Sequence, residues 1–172
     1  MQGLGRSLQL HRMLSHATIV LALQGSSRDE ILRELAAHVP DLESRPDLLE
    51  ELVRALRERE ELHSTGIGDG VALPHARQPL PHLLNKPALV FGRHPTGVAF
   101  RAVDGRPVRL FFLLLAPDLT LHLAMLARIS RLLRQVALRE ALLAAATAEA
   151  VIKLLREAEA RLDQARESLQ DS

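Results

Sequence analysis

Residues 64–76 run Ser64-Thr65-Gly66-Ile67-Gly68-Asp69-Gly70-Val71-Ala72-Leu73-Pro74-His75-Ala76. Glycines at 66, 68 and 70 make the first half a Gly-rich passage rather than a helix. Val71-Ala72-Leu73 is a short apolar run that Pro74 closes, and it reads as a short strand. His75 therefore stands at a strand end, with the backbone just before it fixed by proline. An imidazole placed there, beside the exposed N–H groups of a Gly-rich loop, can hold an anion close to a nucleophilic nitrogen. On spacing alone, a histidine in an ordinary turn is the plainer reading.

Outward from this stretch the pattern is mixed. On the N-terminal side, Thr18 to Leu23 is a β-branched apolar run that reads as a first strand. Ser27 with Glu30 three residues later forms a capping box, and Ile31, Leu32, Leu35 and Val39 give a helical stripe that Pro40 ends. A second helix starts near Pro46, a good first-turn residue, and runs to about Leu62. On the C-terminal side, Ala88 to Phe91 and Val98 to Phe100 read as two further strands, with a tight turn at Asp104-Gly105. Arg109 to Leu115 is the most apolar run and suits a central strand covered on both faces. Three helices are then expected: Leu119 to Leu133, Arg139 to about Ala145, and Ala148 to about Leu169. The economical architecture is a single α/β domain, a mixed β-sheet flanked by helices on both faces. Strand order does not follow from this pattern.

Composition narrows the function. The 172 residues suit one domain, and 47% of them are apolar, enough for a sizeable core. Lys+Arg is 22 and Asp+Glu is 21, a net charge of +1, which argues against a nucleic-acid binder working through a basic field. With four Phe and no Trp or Tyr, base-stacking platforms are not expected either. Absence of Cys removes disulfides, thiolate metal sites and thiol nucleophiles, and is compatible with a cytoplasmic location. No apolar stretch reaches the roughly 20 residues of a membrane span. Arg6, His11 and Arg12 break up the N-terminus, so no signal peptide is expected.

Eight histidines are candidates for chemistry. His11, His16, His38, His82 and His94 stand in polar or loop-like contexts. A metal site from His75 and His82 lacks a third ligand at helical spacing, so no metal is assigned. His122 falls in the first turn of the helix starting near Asp118. There the helix dipole lowers an imidazole's pKa and favours a nearby anion. A polar residue on a helix flank is the plain alternative.

Taken together, Arg59 to Ala76 resembles the active-site segment of enzyme IIA domains of the bacterial phosphotransferase system, mannitol/fructose type, which includes the nitrogen-regulatory IIA proteins. The likeness joins Glu60, the Ile67-Gly68 pair and the Val-Ala-Leu-Pro-His-Ala close at Val71–Ala76. Phe100 to Val108, the Leu110 to Pro117 run and His122 to Ser130 follow in the same order. The similar region is about 15–160, with 1–14 as an N-terminal extension and 161–172 as a helix end or tail.

The resemblance implies that His75 accepts a phosphoryl group from a phosphohistidine on an HPr-like carrier. It matches His122 to the second active-site histidine and Arg59 to the active-site arginine. Ser64, Thr65, Gly66 and Gly68 are expected to orient His75 or bind the anion. No cofactor, metal or nucleotide is implied, because the donor P–N bond is already activated. His63 departs from the pattern, as a charge at the rim or a solvated side chain. Three functions fit: a regulatory phosphoacceptor of the nitrogen-related branch, acting on target proteins; a sugar-transport IIA handing the phosphoryl group to a IIB domain; or a binding module of the same fold without the chemistry. The lack of a membrane segment or room for IIB and IIC parts favours the first.

Overall fold

The computed structural model describes residues 8–171. Five strands form one mixed sheet: β1 (Ile19–Val20), β2 (Gly66–Gly68), β3 (Val71–Ala72), β4 (Ala88–Val98) and β5 (Val108–Leu115). Their order is β1-β4-β5-β3-β2. β4 and β5 pair antiparallel, whereas β1 with β4 and β3 with β5 pair parallel. The expected central strand is thus central. Its side chains alternate across the sheet: Leu110, Phe112 and Leu114 enter one core, and Phe111, Leu113 and Leu115 the other.

Five helices cover both faces: α1 (Arg28–Ala36), α2 (Pro46–Leu62), α3 (Leu119–Leu132), α4 (Val136–Ala144) and α5 (Ala148–Gln170). α1 and α2 close one core, and α3, α4 and α5 the other. All four phenylalanines are buried, in two edge-to-face pairs, Phe91–Phe112 and Phe100–Phe111. Gly92 lets α1 approach β4, since a Cβ there would lie 2.6 Å from Leu35 and 2.8 Å from Leu23.

Several expectations are corrected. Only Ile19 and Val20 of the 18–23 run pair as a strand: Thr18 belongs to a 3-10 turn over His16–Thr18, and the chain bends at Leu21-Ala22 before Leu23 donates to the Arg93 carbonyl at 2.8 Å. Ser27 caps α1 at the amide of Glu30, but the Glu30 carboxylate reaches back to Ser26 instead of Ser27. That helix stops at Ala36, short of Pro40. The strand expected at 88–91 continues to Val98, the one residue of the strand expected at 98–100 that pairs, and its register with β5 slips between Arg93 and Val98 around His94-Pro95-Thr96-Gly97. Gly66–Gly68, expected as loop, pairs with β3. Of the stretch expected as an extension, residues 8–14 pack into the α3–α5 core through buried Leu8, Leu10 and Leu14.

Candidate functional site

His75 follows β3 at the edge of this framework. Leu73 donates its N–H to the Thr65 carbonyl at 3.0 Å, and the Pro74 carbonyl accepts from Leu114 of β5 at 3.0 Å. The backbone carrying His75 is therefore tied on both sides. Its Nδ1 lies 2.7 Å from the carbonyl oxygen of Leu73. A carbonyl only accepts, so Nδ1 carries the proton and Nε2 keeps a free lone pair. Burial lowers the His75 pKa to about 4, and the charges of Arg59 and His122 push the same way against the Leu73 hydrogen bond. The ring is thus neutral at ordinary pH, with one nitrogen available for attack.

The imidazole of His122 lies 5.3 Å from that of His75, centre to centre, at an interplanar angle of 63°. Asp118 caps α3 by accepting from the Leu121 amide at 2.9 Å, which sets His122 in the first turn. His122 is only 7% exposed, and its pKa is lowered by burial. The direction is that expected from the helix start, but desolvation is its cause.

Arg59 comes from the last turn of α2 and donates to the carbonyl of His63 just beyond the helix end. His63 itself is exposed. Beside Arg59 a groove of about 480 Å³ opens between α2 and the chain following His75, with Leu62, Arg77 and Leu80 in its walls.

The loop residues serve as supports. Ser64 Oγ donates to the Phe100 carbonyl at 2.7 Å and accepts from the Gly66 amide at 3.0 Å. Gly66 presses on Ala102, where a Cβ would lie 2.7 Å from that methyl group, and Gly68 has a φ of +97°. Thr65 donates both its hydroxyl and its amide to Glu60, the amide at 3.0 Å. Neither hydroxyl is left to face the imidazole pair.

Sequence reasoning noted Glu60 as part of a motif and gave it no task. It is 4% exposed and ties the end of α2 to the residue whose carbonyl holds Leu73. Its burial pushes the carboxyl pKa up, against the two Thr65 hydrogen bonds. Nothing in the spacing signals a buried acid there, since its neighbours Glu58 and Glu61 are exposed.

The other histidines lie elsewhere. His82 pairs with Glu51 at 2.5 Å and His16 with Glu149 at 2.6 Å, all exposed. Among the described residues no group of three His, Cys, Asp or Glu side chains is placed to hold a metal ion.

A neutral histidine with one free nitrogen thus stands beside a second imidazole and within the field of an arginine, just past the end of β3. The model of the phosphoenolpyruvate-dependent sugar phosphotransferase system, EIIA 2, matches residues 12–158. The chain belongs to that family. A nitrogen regulatory protein of Bradyrhizobium diazoefficiens is 37% identical over 83% of this chain and 92% of its own. The fructose-specific EIIABC component of Bacillus subtilis is 31% identical over 87% of this chain, which spans 23% of that larger protein. Among solved structures, nitrogen regulatory protein IIA-Ntr of Neisseria meningitidis superposes with a TM-score of 0.75 at 32% identity, covering 84% of this chain and 97% of the other. This EIIA domain is thus a phosphotransferase-system component similar to nitrogen regulatory proteins. No described helix is long and apolar enough to cross a membrane.

Proposed function

We propose that this EIIA domain accepts a phosphoryl group on Nε2 of His75 from the phosphohistidine of an HPr-like carrier, and that it acts in the cytoplasm as a nitrogen-related regulator. The observation that carries the reading is the Leu73 carbonyl, which holds the Nδ1 proton and leaves Nε2 as the only basic nitrogen. The donor P–N bond breaks as the Nε2–P bond forms, and the electron pair returns to the donor nitrogen. The phosphoryl group passes in line, with charge on its three equatorial oxygens, so the work left to the protein is positioning and electrostatics. His122, 5.3 Å away, donates an N–H to those oxygens. Arg59 supplies the positive charge. Ser64, Thr65, Gly66 and Gly68 orient His75 through the loop they build. Exposed Leu62, Leu119 and Leu123, next to Arg59 and His122 in the chain, suit brief docking of the carrier. Target proteins then read a gain of nearly two negative charges at one point.

Similarity to a fructose-specific component supports a second reading, in which the phosphoryl group moves on to a IIB domain. Intact-protein mass spectrometry after incubation with phosphorylated carrier tests the first step. One acid-labile phosphoryl group on wild type and none on His75→Ala supports it. Uptake by His75→Ala defeats the site, and no uptake by wild type leaves the binding-module reading. Onward transfer to a purified IIB domain separates transport from regulation.

A further inference from the structure

Away from His75, a cavity of about 270 Å³ opens on the seam between α3 and α5. Its position follows from two matching stripes. Ala124, Ala127, Arg128 and Arg131 share one face of α3, and Glu159, Leu162, Asp163 and Arg166 share one face of α5. The seam is bridged at Arg128, whose Nε donates to Glu159 at 2.7 Å and whose terminal nitrogens donate to Asp163 at 2.9 and 3.0 Å. Leu8, Ala124, Ala127 and Leu162 line the gap with apolar groups, between the three arginines.

The rim is cationic. Arg128 is buried, and Glu159 and Asp163 answer its charge. Arg131 and Arg166 are exposed and make no hydrogen bond or ion pair among the described residues. A bare inorganic anion would pair with them and leave the apolar floor wet. A neutral apolar molecule would cover the floor and leave two guanidinium groups unanswered. Only a molecule with both features satisfies the whole surface.

We propose that this cavity binds a small organic anion, its apolar body against Leu8, Ala127 and Leu162 and its carboxylate or phosphate between Arg131 and Arg166. The planar guanidinium fork matches either headgroup. The site lies on the helix that carries His122 but does not depend on phosphoryl transfer.

Calorimetric titration of the full chain at low salt tests the proposal, with octanoate, phenyl phosphate and neutral octanol as probes. The expected result is saturable one-to-one binding of at least one anion, about tenfold or more tighter than octanol. Preference between octanoate and phenyl phosphate distinguishes carboxylate from phosphate ligands. Arg131→Ala with Arg166→Ala should weaken anion binding at least about tenfold, by removing two charge-assisted contacts. Ala127→Leu, at an exposed position, should fill the gap and abolish binding with the charges intact. Unchanged far-ultraviolet circular dichroism checks that both variants fold. Octanol binding as tightly as the anions, no saturable anion binding, or binding indifferent to both variants would overturn the proposal.

Discussion

Two glutamates are buried almost equally, Glu60 at 4% exposure and Glu159 at 2%, yet their surroundings drive them apart. Burial raises the pKa of both. At Glu60 it prevails over the hydroxyl and amide of Thr65 and the charges of Arg59 and Arg28. At Glu159 it is overcome by Arg128, by His11 and by the amides of Leu10 and His11, and the net shift is downward. One end of the molecule thus locks its charges in pairs. The other pairs two neutral imidazoles, and supports the strand before them with an acid whose burial outweighs its partners. Full pairing suits a joint between helices and the N-terminal segment. Incomplete pairing suits a site that must receive an anion.

The sharpest way to break this contrast is Glu159→Ala. It leaves Arg128 buried with only Asp163, and releases two amides, so a loss of about 3–5 kcal/mol is expected in urea unfolding. Next comes His122→Ala, which should slow phosphoryl uptake roughly 10²-fold, as for loss of one electrostatic donor. Rapid-quench uptake from the phosphorylated carrier measures it.

Glu60→Ala orphans the buried Thr65 amide and should cost about 1–3 kcal/mol. Glu60→Gln, which keeps an acceptor, should recover most of that stability. If Glu60→Gln unfolds as readily as Glu60→Ala, the charge matters and the clamp account fails.

A separate test of the contrast is in pH. The folded pKa of His75 is about 4 and its ordinary value 6.5, so the unfolded chain binds the proton first as pH falls. Stability carried by neutral His75 is therefore full above pH 6.5 and is lost as pH drops toward 4. His75→Asn should flatten that part of the stability profile, and an unchanged slope would contradict a buried neutral ring.

Much of this was legible in local chemistry. Pro46 and Asp118 start α2 and α3 where first-turn rules place them, and the unbroken apolar run at 110–115 announces a strand buried on both faces. The β4 error has a physical source: His94 to Gly97 carries turn residues, but the strand absorbs them as an irregularity, with Gly97 at a φ of +98°. The candidate site residues His75, His122 and Arg59 were marked by the family resemblance, since spacing alone left each histidine an ordinary reading. Its supports were not. Glu60 looks like one acid in an acidic helix end until the fold buries it, and the His11–Glu159 contact joins residues 148 positions apart.

The Leu73 carbonyl has one further consequence. It engages Nδ1, the ring nitrogen away from Nε2, so a phosphoryl group on Nε2 would leave that hydrogen bond in place. A partner that distinguishes the two forms is then expected to sense chiefly the added charge. Its discrimination should fade with rising ionic strength, over the roughly 8 Å screening length of physiological salt. The message of this domain is written as a field.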